Sequence, residues 1–418
     1  MSAAQELPAL TPGAAPPAAL RTLLAAHRPG HGLPRGFYHD PAVFAHEKAR
    51  IWHRHWLCAG HASQAARPGD YFMVRMDAEQ VIIARDEGGT LHAMLNVCRH
   101  RGAEICTEPH GHASYFVCPY HAWTYRLDGS LAAARHMPAA FDPASHGLRR
   151  LALREAAGLV FISFAERPLD FDHVASTLQA SLGRYGWAGA RVAHRAIYSV
   201  EANWKLAVEN YVECYHCSPS HPEYSKLHAL EQPAPRIARL NAAMAARTAA
   251  LGVDIATLTQ WRSDDGGEAI DCFRYALYDG IDTGSEDGSP LAPLMGAFTG
   301  YDGGVTSVHV GPASFLLAYP DHGVIYRFWP RGGERCEMEL IWLVRDDAVA
   351  GADYDPERLA WLWKVTSDAD KRIIEHTARG VASAFYDPGP LAPMEANEAR
   401  YLAWYLAEMD GPDPGCPS

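Results

Sequence analysis

No run of about 18 apolar residues occurs in this 418-residue chain, so a membrane-spanning helix is not expected. Cations are in short supply too: 37 Lys and Arg face 49 Asp and Glu, a formal net charge of -12. Nucleic-acid binders depend on clustered Lys and Arg to displace counterions, so a polyanionic partner is disfavoured. The opening MSAAQELPALTPGAAPPAAL lacks a basic segment followed by a continuous apolar one. It reads as a flexible Ala/Pro tail and not as an export signal, and a cytoplasmic protein is expected. Cysteine is scarce and odd in number, nine in all, which without an export signal favours metal ligation or buried thiols over disulfides. There is no internal repeat and no G-x-G-x-x-G in a strand-turn-helix setting, so any NADH or flavin belongs on a separate protein. What is plentiful is core material. At 48% apolar and 10% aromatic residues, the chain can fill two or three domains of roughly 150 residues each.

Asp40-Pro41 offers a cap and a first-turn proline for a helix over about 41 to 56, with Val43, Phe44, Ile51 and Trp52 as its apolar stripe. Strand-like runs follow at Tyr71 to Val74, Val81 to Ala84, Leu91 to Val97, Tyr115 to Val117 and Gly158 to Phe164, and Glu166-Arg167-Pro168 looks like a boundary. Beyond it, 204 to 217 suits a helix, Glu231 to Gly252 is Ala/Arg-rich and helical in character, and 281 to 304 is a Gly/Asp/Ser-rich stretch expected to be a mobile loop. Four strands return at Val305 to Val310, Ser314 to Tyr319, Val324 to Trp329 and Met338 to Val344. Helices over about Glu357 to Gly380 and Glu395 to Ala407 close the chain. The class expected is α+β.

Two short segments carry metal-binding residue types at ligand spacing. Cys98-Arg99-His100 and Cys118-Pro119-Tyr120-His121 give C-x-H, seventeen intervening residues, then C-x-x-H. Zinc sites usually group a cysteine pair with a histidine pair. One thiolate and one imidazole per arm instead suits a cluster with two distinct irons, both thiolates on one and both imidazoles on the other, the Rieske 2Fe-2S pattern. Replacing two thiolates by neutral imidazoles removes negative charge and raises the potential, which makes such a centre an electron relay. Cys106, His110 and His112 lie between the arms, off pattern, and read as loop residues.

NVCRHRGAEIC and FVCPYHAWTYRLDGSL resemble the Rieske segment of Rieske non-haem iron oxygenase α subunits. The resemblance continues through NWKLAVENYVECYHCSPSHPE to the C-terminal helix and covers most of the chain after residue 35. It implies an all-β N-terminal Rieske domain, a helix-grip catalytic domain with an antiparallel sheet and helices, and a homotrimer in which electrons cross between subunits. The corresponding division is a flexible tail over 1-35, a helix over 36-55 that associates with the catalytic domain, a Rieske domain over 56-168 and a mononuclear-iron domain over 169-418.

The second segment is VENYVECYHCSPSHPE, residues 208 to 223. If 204 to 217 is one helix, Glu209, Glu213 and His216 fall at i, i+4 and i+7 on a single face, and Pro219 then places His221 in the turn that follows. Two imidazoles and one carboxylate on one face of Fe(II) leave positions open for O2 and substrate. His216 and His221 are the imidazoles. The resemblance implies that the carboxylate is a distant Asp five residues before a Glu, here Asp370 before Glu375; Asp368, two residues away, is the alternative. It also implies that Glu213, three before the first histidine, bridges His121 of one subunit to His216 of the next. Most ring-dihydroxylating relatives carry Asp there, with one more residue before it, so Glu is a departure. Cys214 and Cys217 lie off the ligand face and read as packing residues.

Glu at the bridge, ECYHCSPSHPE and the late YDPGPLAPMEANEARYLAWYL most resemble the branch acting on quaternary ammonium compounds: glycine betaine, carnitine, choline and proline betaine monooxygenases. That branch implies a small-molecule substrate, hydroxylation or N-demethylation with O2, and a separate reductase. A fixed cation is held by aromatic faces, and Tyr211, Phe315, Tyr319, Tyr326, Phe328 and Trp329 lie near the catalytic elements. Two other readings stay open: hydroxylation or O-demethylation of an aromatic acid by the same machinery, and an electron carrier that uses the Rieske centre alone.

Overall fold

Three antiparallel sheets support the loops and helices that carry the donors. The computed structural model describes residues 16–230, 233–258 and 266–411. Near the N-terminus, seven antiparallel strands are ordered Leu57–His61, Leu159–Ser163, Arg150–Ala156, Leu91–Leu95, Glu79–Arg85, Asp70–Met76 and His110–His112. A three-stranded sheet, Phe116–Val117, Thr124–Tyr125 and Leu131–Ala133, stands beside it. The two packed layers bury Tyr71, Ile82, Phe116, Trp123 and Tyr125 in a small core directly beneath the Cys98 and Cys118 loops. The off-pattern His110 and His112 are thus in a strand paired with Asp70–Phe72, not in a loop.

The larger sheet has the order Ala190–Val200, Cys336–Arg345, Gly323–Pro330, Ser314–Ala318, Gly304–Val310 and Ile270–Ala276, all antiparallel. Its first and last strands escape sequence reading: Ala190–Val200 mixes three basic residues into the run, and Ile270–Ala276 is interrupted by Asp271 and Arg274. Pairing with the apolar Cys336–Arg345 and Gly304–Val310 strands overrides their weak propensity. A helix over Pro356–Val381 packs against this sheet. Its start is fixed by Asp355, whose carboxylate accepts from the amides of Glu357 and Arg358, and by Pro356 in the first turn.

Three expectations about backbone need correction. Residues 18 to 26 are not a loose tail but a helix, Ala18–Ala26, with Leu20 buried, while residues 1–15 lie outside the described part. The helix expected over 41 to 56 is a regular Pro41–Glu47 segment followed by a widened turn over Lys48–Trp52. The 281–304 stretch carries no strand or helix before Gly304 but is pinned, with Thr283 Oγ1 donating to Asp321 Oδ1 at 2.7 Å and Met295 N to Pro320 O at 2.7 Å. The expected start of the Ala/Arg-rich helix at Glu231 lies outside the described residues, and the observed helix runs Ala234–Ala250.

A buried ion pair ties distant segments together. Lys205 Nζ lies 2.5 Å from Glu47 Oε1, both side chains fully buried. Trp204 Nε1 and Tyr405 Oη also donate to that carboxylate, at 2.9 and 2.5 Å. The helices over Pro41–Glu47 and Trp204–Val212 and the C-terminal helix Ala396–Asp410 therefore share one polar node. Removing either charge would strand the other in the core, which typically costs about 3–5 kcal/mol.

Candidate metal centres

The Cys98 and Cys118 loops repeat one hydrogen-bond scheme. Cys98 N donates to Ala103 O and Gly102 N to Cys98 O; Cys118 N donates to Trp123 O and Ala122 N to Cys118 O, all between 2.8 and 3.0 Å. The residue four past each cysteine takes a left-handed conformation, Gly102 at φ 75° and Ala122 at φ 55°. Ala122 is one of the few non-glycine residues so placed, a local strain that the loop's contacts maintain. The two thiols are buried and in mutual contact, while His100 and His121 are exposed and bring their Nδ1 atoms to 3.1 Å. His100 stacks on Trp123, with ring centroids 4.9 Å apart and planes inclined by 9°. Tyr125 Oη lies 3.3 Å from Cys98 Sγ and accepts from Arg99 N. Two thiols on one side and two imidazole nitrogens on the other can hold a cluster with two unlike metal positions.

The second donor set comes together differently from the single helix face read in the sequence. The helix begins at Asn203, whose side chain accepts from Lys205 N, and stops at Val212; Glu213 is extended, with φ -124° and ψ 161°. The reason is the Glu213 carboxylate. Its Oε2 accepts from the amides of Tyr215 and His216, offering the chain a capped turn in place of another helical turn. Glu209 consequently points elsewhere: it is buried, and Tyr38 Oη lies 3.0 and 2.9 Å from its two oxygens. Pro219 does not end the long helix either, since it sits inside a short helix over Cys217–Ser220 that delivers His221 at its C-terminal end.

His216, His221 and Asp370 nevertheless converge. Asp370 Oδ1 is 3.4 Å from His216 Nε2 and 3.1 Å from His221 Nε2. Despite that proximity, His221 Nε2 and Asp370 Oδ1 are buried without a well-formed hydrogen bond, and both border the space they share with His216 Nε2; His221 Nδ1, on the other edge of the ring, is also buried and unpartnered. A buried polar atom without a partner costs about 1–3 kcal/mol, and a cation bound between them would satisfy His221 Nε2 and Asp370 Oδ1. Burial alone would depress His216, yet the Asp370 and Glu213 carboxylates outweigh it and lift the imidazole to about 10. Burial would raise Asp370, but the two histidines hold it below the usual carboxylate range. The site is thus an anionic pole of the kind a divalent cation offsets. Asp368 is exposed on the opposite side of its helix and takes no part. Glu213 Oε1 accepts from His216 Nδ1 at 2.5 Å, a bond that orients the ring with Nε2 toward Asp370; a cation bound there would take the place of the Nε2 proton.

A cavity of about 290 Å³ opens from these three residues. Strand register builds its wall. Asp271, His309, Phe315 and Tyr326 are paired in succession across four neighbouring strands, and one step along lie Phe273, Ser307 and Leu317. Facing residues in one such row share a side of the sheet, and every member of both rows lines the cavity. Of the aromatics singled out in the sequence, Tyr211, Phe315 and Tyr326 line it; Tyr319, Phe328 and Trp329 do not. Sequence reading missed Phe273, Tyr275, Trp363 and Asp271. Asp271 is a buried carboxyl with Oδ1 unpartnered, raised by burial to about 6; the signal that could have found it is a lone acid in an otherwise apolar run.

Residues 55–150 match the family described as Rieske [2Fe-2S] domain, and residues 187–411 match Ring hydroxylating alpha subunit (catalytic domain). The chain is 35% identical over 393 residues to the glycine betaine monooxygenase oxygenase subunit of Chromohalobacter salexigens, covering 92% of this chain and 88% of its relative. The fold matches that of a quaternary ammonium Rieske monooxygenase solved in complex with L-carnitine, with a TM-score of 0.68 and 23% identity over 93% of this chain and 98% of that one. It also matches naphthalene 1,2-dioxygenase from Rhodococcus sp., with a TM-score of 0.66 and 20% identity over 94% and 97% of the two chains. No described helix is long and apolar enough to cross a membrane.

Proposed function

The chain belongs to the family of ring-hydroxylating oxygenase alpha subunits with a Rieske [2Fe-2S] domain, and from that premise we propose that it hydroxylates and N-demethylates a quaternary ammonium compound of the betaine, carnitine or choline kind. The domains that would share the task are the Rieske unit over 56–168 and the catalytic unit over 169–418, with 36–55 attached to the latter. Cys98, His100, Cys118 and His121 would hold the 2Fe-2S cluster, and His216, His221 and Asp370 the mononuclear iron. Iron bound there would supply the activation of O2, with electrons arriving through the cluster from a separate reductase.

The observation that carries the substrate class is the wall of the cavity. Tyr211 lies close to Phe315 and Tyr326 with tilted rings, at 4.1 and 5.1 Å between ring centroids, in the cavity lined by His216, His221 and Asp370. A quaternary ammonium group has no proton to donate, so aromatic faces and a nearby carboxylate are what can replace its hydration. The buried Asp271 carboxyl lies in the same wall. The fully buried Tyr326 is held in place by its hydroxyl, 2.9 Å from Ser367 Oγ. Such a wall would hold an N-methyl group toward His216, His221 and Asp370.

Four of the large exposed hydrophobics, Val97, Tyr115, Val117 and Tyr120, surround the Rieske loops, and a fifth, Tyr215, neighbours Glu213. Exposed apolar residues clustered on a rim of charge mark a contact surface. This supports a homotrimer in which the loops of one subunit meet the Glu213 region of the next. There Glu213 would accept from His121 of the neighbour while keeping its own bond to His216, a short bonded path for an electron. With a suitable reductase, NADH consumption should be coupled to aldehyde release by glycine betaine or carnitine and not by benzoates. Coupling by benzoates alone would move the assignment to aromatic-acid oxidation, and a chain holding only the cluster irons would be an electron carrier.

A further inference from the structure

Cys214 and Cys217 flank the proposed ligand His216, and neither has a part in the reading above. Their geometry is that of a pair. Cys217 N donates to Cys214 O at 3.2 Å, closing a turn in which Tyr215 and His216 are the central residues. A turn of this type keeps its end Cα atoms within about 7 Å, and a disulfide needs them at about 4.4–6.8 Å. Both cysteines are free thiols, both line the cavity, and their side chains are within hydrogen-bonding reach of each other. The Cys217 sulfur also shares a sphere of 4.8 Å with donor nitrogens of His216 and His221. Both do pack against the hydrophobic core, as the sequence reading has it, but the Cys217 sulfur is not off the ligand face.

We propose that Cys214 and Cys217 are an oxidisable dithiol built around the metal ligand, which hydrogen peroxide converts to a disulfide with release of the mononuclear metal. The step balances: one thiol sulfur attacks peroxide to give a sulfenic acid and water, the second attacks that sulfur, and a second water leaves. Two thiols are oxidised by two electrons in total, and one peroxide is reduced to two waters. The cavity that admits substrate also admits peroxide to both sulfurs. Cross-linking residues 214 and 217 constrains the backbone of Tyr215 and His216, the two residues whose amides bind Glu213 Oε2. His216 then loses the orientation that its bond to Glu213 provides.

The test uses the iron-loaded, full-length protein, treated anaerobically with hydrogen peroxide and analysed by peptide mass and metal content, each variant against its own untreated sample. In the wild type, the peptide holding residues 214–217 should become two hydrogens lighter, the mononuclear iron should fall in step, and dithiothreitol should restore the mass and permit reloading. Cys214→Ser and Cys217→Ser should each form no such disulfide and keep their mononuclear iron at peroxide doses that empty the wild type, while the Rieske absorbance decays alike in all three. Loss of iron with the 214–217 peptide still a dithiol would overturn the proposal. So would a disulfide that leaves the iron in place, or equal iron loss in the serine variants. None of these readouts depends on which substrate the enzyme accepts.

Discussion

The two donor sets of this chain are built from the same residue types and treat water in opposite ways. At the Rieske loops the sulfurs are buried and the imidazoles exposed; at the second site His221 is only 2% exposed, and the side chains of His216 and Asp370 are 16% and 14% exposed. An electron relay has to be reached from outside by a donor or acceptor, a role that suits His100 and His121, exposed near Val97, Val117 and Tyr120. A centre that performs chemistry on a C-H bond gains from being dry, since every electrostatic interaction in it is stronger there. Local backbone follows the same division. The Cys98 and Cys118 loops are a pair of matching turns held by their own amides, whereas the second site is assembled from a capped turn, a short helix and a helix some 150 residues later.

If the two sites are independent in this way, the largest effect should come from removing the carboxylate that joins the second one. Asp370→Ala should lose the mononuclear metal and all turnover while the visible Rieske spectrum persists; disappearance of both centres together would break the comparison and point to a folding defect. A smaller effect is expected at the connection between sites. Glu213→Gln keeps a hydrogen-bonding side chain beside His216, so both metal centres should remain, yet turnover should fall by about 10–100-fold, the usual penalty for altering a residue that orients a ligand. Normal steady-state activity in that variant would remove the bridge.

The smallest effect concerns stability and sharpens the electrostatic side of the contrast. Glu398 is lifted to about 9 by burial and by Glu209 and other nearby carboxylates, and burial lifts Glu209 to about 7. The folded protein therefore keeps a proton on Glu398 that the unfolded chain releases above the ordinary 4.5. The native state binds more protons throughout that window, so stability should fall as pH rises from 4.5 toward 9, with a slope of at most about 1.4 kcal/mol per pH unit from this group. Thermal melts of Glu398→Gln should decline less over the same range. An identical decline in both proteins would mean that Glu398 ionises freely in the fold.

Legibility from the sequence followed the chemistry more closely than the backbone. Cys98, His100, Cys118 and His121 stand out because a two-iron cluster needs those residue types at fixed intervals, and His216 and His221 because imidazoles so close to acids are uncommon. The helix expected over 204 to 217 is present to Val212 and stops there because a carboxylate can satisfy turn amides, and nothing in helical periodicity shows that Glu213 does so. The two register rows, and with them the place of Asp271 in the cavity wall, were hidden for another reason: they exist only once four strands spread over residues 270 to 330 are aligned. The Glu47 and Lys205 pair, 158 residues apart, is hidden in the same way.

Metal analysis joined to low-temperature electron paramagnetic resonance of the anaerobically reconstituted, reduced protein is the most direct measurement. Two unlike iron centres in one chain should give about three irons per polypeptide and a Rieske-type signal from the cluster pair alone. Zinc in place of iron, or iron without that signal, would contradict it.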